Sequence, residues 1–226
     1  MISFPTLILD NFLDNPDSLK KWALSLNYQH PQDNMYPGSR TKELSYINPY
    51  FTNFLHKKIL SLYFDSIPSD IVGYSYFQIM DNFKGSGWIH QDPGFFTSII
   101  YLSNRNSNTN EGTSLFKFKK DKFMLINNPQ EEKLWGILRN KHYETNSLSI
   151  KEFQQKQSYE NKLFNKILDI PSKFNRLICF EGTQLHASNG SLDEILKNRL
   201  TLITFFGPLE MSNQPPMSRS KKILLL

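Results

Sequence analysis

The chain has 226 residues, of which 39% are hydrophobic, 14% aromatic and 21% charged; this excludes disorder throughout and supplies apolar surface for one full core. Lys and Arg exceed Asp and Glu by 26 − 21 = 5, yet the basic residues are scattered, which argues against a nucleic-acid surface. The longest apolar runs, 200–206 and 223–226, fall far short of the roughly 20 residues that cross a bilayer. Residues 1–10 do not read as a signal or transit peptide, and the single cysteine, Cys179, excludes an internal disulfide framework, so a reducing, cytoplasmic setting is expected.

Residues 4–9 are apolar and β-prone. Asp14, Asn15, Pro16 and Asp17 supply a cap, a first-turn proline and acidic residues ahead of Leu19, Trp22, Ala23 and Leu26, which predicts an amphipathic helix over 16–27. Residues 36–40 read as a loop or turn. A second helix is predicted over 49–64, with Phe51, Phe54, Leu55, Ile59 and Leu62 on its buried side. From Ile71 the period becomes two: Tyr74, Tyr76 and Gln78 share one strand face, and Ser75, Phe77 and Ile79 the other. Further strands are predicted over 96–102, 114–118, 123–126, 176–180 and 200–206, with 104–110 as a flexible hairpin loop.

Ser149 and Glu152 form a capping-box pattern ahead of 153–167, so 129–170 reads as a helical insertion, either scaffold or a lid or subunit contact. Arg219, Lys221 and Lys222 beside the apolar terminus read as a frayed or docking tail. The expected organisation is one domain over 1–226: helical support over 1–70, a mainly β core over 71–207 closed as a sandwich or jelly roll, and a tail over 208–226.

Two of the five histidines stand out by context. In Trp88-Ile89-His90-Gln91-Asp92, an extended backbone places His90 and Asp92 on one face, where they can hold two corners of a metal ion. His186 follows 96 residues later, after the strand ending Ile178-Cys179-Phe180, and can close a third corner. Two imidazoles and one carboxylate leave three octahedral positions open on Fe(II). Standing alone, the His-x-Asp pair is weak, since a lone histidine on a strand is more often satisfied within the core. Arg199 comes 13 residues after His186 and heads an apolar strand; a charge there demands a partner. A bound carboxylate gripped by its planar fork, with Thr201 on the same face adding a hydroxyl, is one solution. An internal salt bridge is the other.

These residues, with Ser98-Ile99-Ile100-Tyr101-Leu102-Ser103, Glu111-Gly112-Thr113-Ser114-Leu115-Phe116 and Asn175-Arg176-Leu177-Ile178-Cys179-Phe180, resemble in order and spacing the Fe(II)- and 2-oxoglutarate-dependent dioxygenase superfamily. The similarity is to its prolyl-4-hydroxylase-like and phytanoyl-hydroxylase-like branches and covers about 74–207. It implies a double-stranded β-helix, mainly β with N-terminal helices, with iron on His90, Asp92 and His186. It also implies 2-oxoglutarate on the metal, its distal carboxylate on Arg199 with Thr201, Tyr101, Ser114 or Gln78 assisting, and O2 as the oxidant. The implied reaction releases succinate and CO2 and ends in hydroxylation of a substrate C–H bond. The chain departs from the resemblance at Asp81, where prolyl-hydroxylase-like members carry tyrosine, and at Glu111, where the first glycine of a Gly-Gly pair is replaced.

Trp88 and Tyr76 are candidates for the substrate mouth, Trp88 being equally suited to the core. Arg40 could reach an anionic substrate, against the simpler reading of a solvated loop arginine. Cys179 reads as a small buried hydrophobe, and His30, His56 and His142 have no metal-type spacing. A small molecule or a peptide is the expected substrate. The competing class is a non-catalytic jelly-roll protein that holds a structural metal.

Overall fold

The computed structural model describes residues 5–30, 38–80, 87–92, 94–103, 111–119, 155, 158–159, 161–189 and 199–208. The expected strand at 123–126, the loop at 104–110, the basic tail, Asp81, His142 and most of the expected insertion lie outside these residues.

The described elements in chain order are β1 (Leu7–Leu9), α1 (Pro16–Leu24), β2 (Ser39–Arg40), α2 (Leu44–Ile47), α3 (Pro49–Leu60), β3 (Ile71–Met80), β4 (Phe96–Tyr101), β5 (Gly112–Phe118), β6 (Phe164–Pro171), β7 (Leu177–Glu181), β8 (His186–Asn189) and β9 (Arg199–Pro208). Both long helices start as their sequences dictate. The Asn15 side chain accepts from Ser18 N at 3.2 Å ahead of Pro16, and Asn48 accepts from Phe51 N at 3.0 Å ahead of Pro49. Each cap satisfies an amide the first helical turn leaves over.

Six strands form one sheet in the order β1-β7-β4-β9-β3-β2, and three form a second in the order β6-β5-β8; every pairing is antiparallel. Alternation along the large sheet divides its residues between two cores. On the outer face, Phe77, Phe96, Ile100, Leu177, Cys179, Leu200, Leu202 and Phe206 pack with Leu19 and Ala23 of α1 and Leu55 and Ile59 of α3. Trp22 meets Phe51 and Phe77 edge-on at 5.0 and 5.3 Å, a favoured geometry for aromatic pairs. On the inner face, Ile99, Tyr101, Ile178 and Phe180 pack with Leu115 and Ile170 of the small sheet, with Ile203 alongside. The candidate site residues Tyr101 and Thr201 lie on this inner face.

The stretch Asn175-Arg176 is structural. Asn175 has φ 61, a conformation asparagine tolerates, and its side chain accepts from Leu13 N and donates to Leu13 O, both at 2.8 Å. Arg176 grips Asp10 through Nε at 2.6 Å and Nη2 at 3.2 Å. Hydrogen bonds from Arg176 and then Lys173 hold the Asp10 carboxyl down at about 2.

Several expectations are corrected. Residues 164–167, expected at the end of a helix, begin β6; this edge strand is exposed at most positions, so it carries no buried alternation for a sequence reading to detect. Ser39 and Arg40, expected in a turn, pair with Ile79 and Gln78 as β2. Phe54 is exposed, and α3 stops at Leu60. No described helix is long and apolar enough to cross a membrane.

Candidate metal centre and the buried arginine

His90 and His186 are locked together by their backbones. His90 N donates to His186 O at 3.0 Å and His186 N to His90 O at 2.9 Å, an isolated antiparallel bridge that fixes the segment carrying His90 beside β8. Asp92 N then donates to Gly182 O at 2.9 Å. The ligating atoms of His90, Asp92 and His186 all lie within 4.8 Å of one another. Nε2 of His90 is 3.4 Å from Asp92 Oδ1, and Nε2 of His186 is 3.2 Å from Asp92 Oδ2. The side chains of His186 and Asp92 are 6% and 10% exposed, and that of His90 33%, so the cluster has one open side.

The second contact of each group fixes what the first can do. His90 Nδ1 lies 2.8 Å from Trp88 O, and His186 Nδ1 lies 2.8 Å from Gln184 O. A carbonyl only accepts, so both Nδ1 atoms carry the proton and both Nε2 atoms present a lone pair toward the common centre. Thr97 Oγ1 donates to Asp92 Oδ2 at 2.7 Å. Burial, followed by the adjacent His186 ring, holds the His90 imidazole below its ordinary value, which favours the neutral, ligating form. For Asp92, burial alone would raise the carboxyl; the pull of His186 and His90 outweighs it and keeps the group well below the ordinary carboxylate range. With their Nδ1 protons held by backbone carbonyls, the two rings turn Nε2 toward the carboxylate oxygens of Asp92.

Arg199 opens β9 and is 4% exposed. Its Nη2 donates to Gly112 O at 3.0 Å and its Nη1 to Asn189 O at 3.4 Å, and its guanidinium lies 5.5 Å from the Tyr101 ring centroid. Gly112 is itself pressed against β6, where a Cβ would overlap Ile170 O. Asn189 is three residues beyond His186 on β8, so the guanidinium is held roughly 10 Å along the strand from the candidate metal ligands.

Four of the other expected site residues fall on one cross-strand row. Arg40 pairs with Gln78, Gln78 with Thr201, and Thr201 with Tyr101, and directly opposed residues share a face. Tyr101 Oη and Thr113 Oγ1, 2.7 Å apart, link the row to the small sheet. Burial pushes the Tyr101 phenol up, against the opposing pull of Arg199, so it remains a neutral hydroxyl. Ser114 is a correction. Alternation along β5 turns it away from the inner face that Thr113 and Leu115 occupy, and its hydroxyl is engaged by Asp169 and Asn189. Trp88 is buried and meets the cluster through its carbonyl. Sequence reading missed Thr97 and Thr113. Alternation within each strand could have flagged both, since Thr97 shares the face of Ile99 and Tyr101, and Thr113 that of Leu115.

The fold is similar to that of several solved structures. HygX from Streptomyces hygroscopicus, solved with nickel and 2-oxoglutarate bound, aligns at 14% identity with a TM-score of 0.52 over 92% of this chain and 84% of its own. SnoN, a non-heme α-ketoglutarate-dependent epimerase from nogalamycin biosynthesis, aligns at 10% with a TM-score of 0.50 over 92% and 82%. AviO1 from Streptomyces viridochromogenes Tue57 aligns at 10% with a TM-score of 0.51 over 94% of each chain. At these identities the likeness is one of fold. The chain belongs to the Family of unknown function (DUF6445), whose family model matches residues 84–206. No curated protein matches it.

Proposed function

We propose that this chain is an Fe(II)- and 2-oxoglutarate-dependent oxygenase, built as a single double-stranded β-helix domain, that hydroxylates a C–H bond of a small-molecule substrate. The observation that carries the reading is the convergence of His90, Asp92 and His186 to within 4.8 Å of one another, with both histidine tautomers set to present Nε2. This donor set suits Fe(II) and leaves half of an octahedron for other ligands. Structures of the fold neighbours hold iron in HygX, and Fe3+ with α-ketoglutarate and nogalamycin RO in SnoN, which supports the same ligands here.

When bound, iron with 2-oxoglutarate and O2 supplies the oxidising power for C–H cleavage, giving succinate and CO2 as co-products. The protein's part is placement. Arg199 would take the distal carboxylate of 2-oxoglutarate, and its separation from the cluster suits a short diacid with its other end on the metal. Tyr101 and Thr201, beside Arg199 on the inner face, would supply neutral hydroxyl donors. Gln78, on the same row one strand further out, would act as a positioning residue. Thr97 holds Asp92 against rotation, and the inner core formed by Ile99, Ile178, Phe180 and Ile203 excludes water from the reacting atoms.

Anaerobic calorimetry tests the reading. Ni(II) should bind the wild type and be lost in His186→Ala, and 2-oxoglutarate should bind only the metal-loaded protein, at least tenfold more weakly in Arg199→Ala. With Fe(II) and O2, succinate should form in wild type and not in Asp92→Ala. Metal-independent 2-oxoglutarate binding, or binding indifferent to Arg199, overturns the proposal.

A further inference from the structure

Resting on that reading, we infer that Gln91 and Gln184 are positioning residues of the metal centre: their side-chain amides fix the turn at 182–185, between β7 and β8, from which His186 projects. The first observation is a run of carbonyls. Five in succession, from Gly182 to His186, each accept a hydrogen bond, and three of the donors belong to the segment that carries the other two ligands. Gly182 O accepts from Asp92 N at 2.9 Å and His186 O from His90 N at 3.0 Å. Between them, Thr183 O accepts from Gln91 Nε2 at 2.6 Å. Alternation along an extended segment aims the backbone amides of His90 and Asp92 at the turn and that of Gln91 away from it, so the side chain of Gln91 supplies the bond between.

The second observation is that Gln184 serves the imidazole with both its backbone and its side chain. Its carbonyl accepts from His186 Nδ1 at 2.8 Å. Its side-chain amide donates to Leu185 O at 3.0 Å and, across to β5, to Phe116 O at 2.7 Å. The β5–β8 ladder ends at Leu115 and His186; beyond it the Gln184 amide and Phe116 N, which donates to Leu185 O at 2.8 Å, carry the contact on. Gln184 N closes the turn on Glu181 O at 2.9 Å. Backbone pairing places the Cα of His186, but the direction of its ring depends on the peptide that offers the Gln184 carbonyl. Rotating that peptide would swing the Nδ1 acceptor and, with it, Nε2 on the far side of the ring. The two glutamine amides hold the peptides on either side of it, through Thr183 O and Leu185 O. Packing alone would be met by apolar side chains at both positions; hydrogen bonds are directional, and both amides act on this one turn.

The test is calorimetry of the full chain with Ni(II), followed by 2-oxoglutarate on the metal-saturated protein. Gln91→Leu, at an exposed position, removes one neutral hydrogen bond and should weaken Ni(II) binding about two- to tenfold; Gln184→Leu removes two and should weaken it further. Once saturated with Ni(II), both variants should bind 2-oxoglutarate as the wild type does, because the Asn189 end of β8, where Arg199 is held, is untouched. In the Zn(II)-loaded protein the His186 Nδ1 proton should exchange with water faster in Gln184→Leu than in the wild type, read by NMR of labelled histidine. Unchanged Ni(II) affinity in Gln91→Leu overturns the inference while leaving the oxygenase reading intact. An equal loss of Ni(II) and 2-oxoglutarate affinity does the same, since it marks a general loosening of the fold. Should Gln184→Leu fail to fold, Gln91→Leu decides by itself. A wild type that binds no Ni(II) overturns both.

Discussion

Replacing Thr97 by valine isolates one hydrogen bond at the candidate centre. Thr97 is buried, and its hydroxyl donates to Asp92 Oδ2 at 2.7 Å, a bond to a charged acceptor worth about 1.5–3 kcal/mol. Valine has nearly the same shape and is equally suited to a strand, so the change opens no cavity and leaves β4 intact. The loss then falls on the carboxylate alone. At 1.4 kcal/mol per decade it bounds the fall in metal affinity at roughly ten- to hundredfold, the range typical when a ligand loses its supporting contact. Ni(II) titration by calorimetry should show that fall in Thr97→Val and near-wild-type affinity in Thr97→Ser, which keeps the hydroxyl. A Thr97→Val protein that binds Ni(II) as tightly as wild type refutes the reasoning, and so does a serine variant as weak as the valine one.

Two further outcomes follow from other parts of the fold. His56 sits under the outer face with Nε2 2.8 Å from Ser75 Oγ; burial, against the opposing pull of Glu43, holds it down at about 4 from 6.5. Above pH 6.5 it is neutral folded or unfolded. Between 6.5 and 4 only the unfolded chain takes the proton, so stability falls as pH falls, by 2.5 × 1.36 or about 3 kcal/mol in all. Urea unfolding across pH 4–7 should show this slope in wild type in excess of His56→Gln, and identical slopes would sink it. Gly112→Ala places a Cβ against Ile170 O, a backbone atom of the paired strand. It should lower stability by about 1–3 kcal/mol and weaken 2-oxoglutarate binding by moving the carbonyl that holds Arg199. Unchanged unfolding and unchanged affinity would refute the role given to Gly112.

The placement of Arg40 shows how one register can join residues that seem unrelated in sequence. Arg40 and Gln78 are 38 positions apart, yet they share a row with Thr201 and Tyr101. Along that face, one charged group stands at each end of a strip of aromatic and hydroxyl side chains. Arg199 is held by the Gly112 and Asn189 carbonyls beside the Tyr101 ring. The Arg40 guanidinium lies against the Tyr76 and Phe205 rings.

Local pattern alone determined much of this protein. The period-two run around Tyr76 and the apolar stretches around Ile99 and Ile203 announced strands, the capped proline starts announced two helices, and the short interval from His90 to Asp92, with His186 after the strand ending Ile178-Cys179-Phe180, pointed to a three-donor cluster. These are properties of a few neighbouring residues, because side-chain direction repeats every two positions in a strand and every 3.6 in a helix. What only the tertiary structure decided is which strand lies beside which, and in what register. A two-residue strand such as Ser39–Arg40 has no period to read, and the exposed edge strand at Phe164–Pro171 has no buried face to mark it. That Thr97 supports Asp92, that Ser114 faces away while Thr113 faces in, and that Arg40 reaches the Tyr76 and Phe205 rings all depend on hydrogen-bonded partners distant in sequence. A shift of one residue in any pairing would have turned each of those side chains to the opposite face.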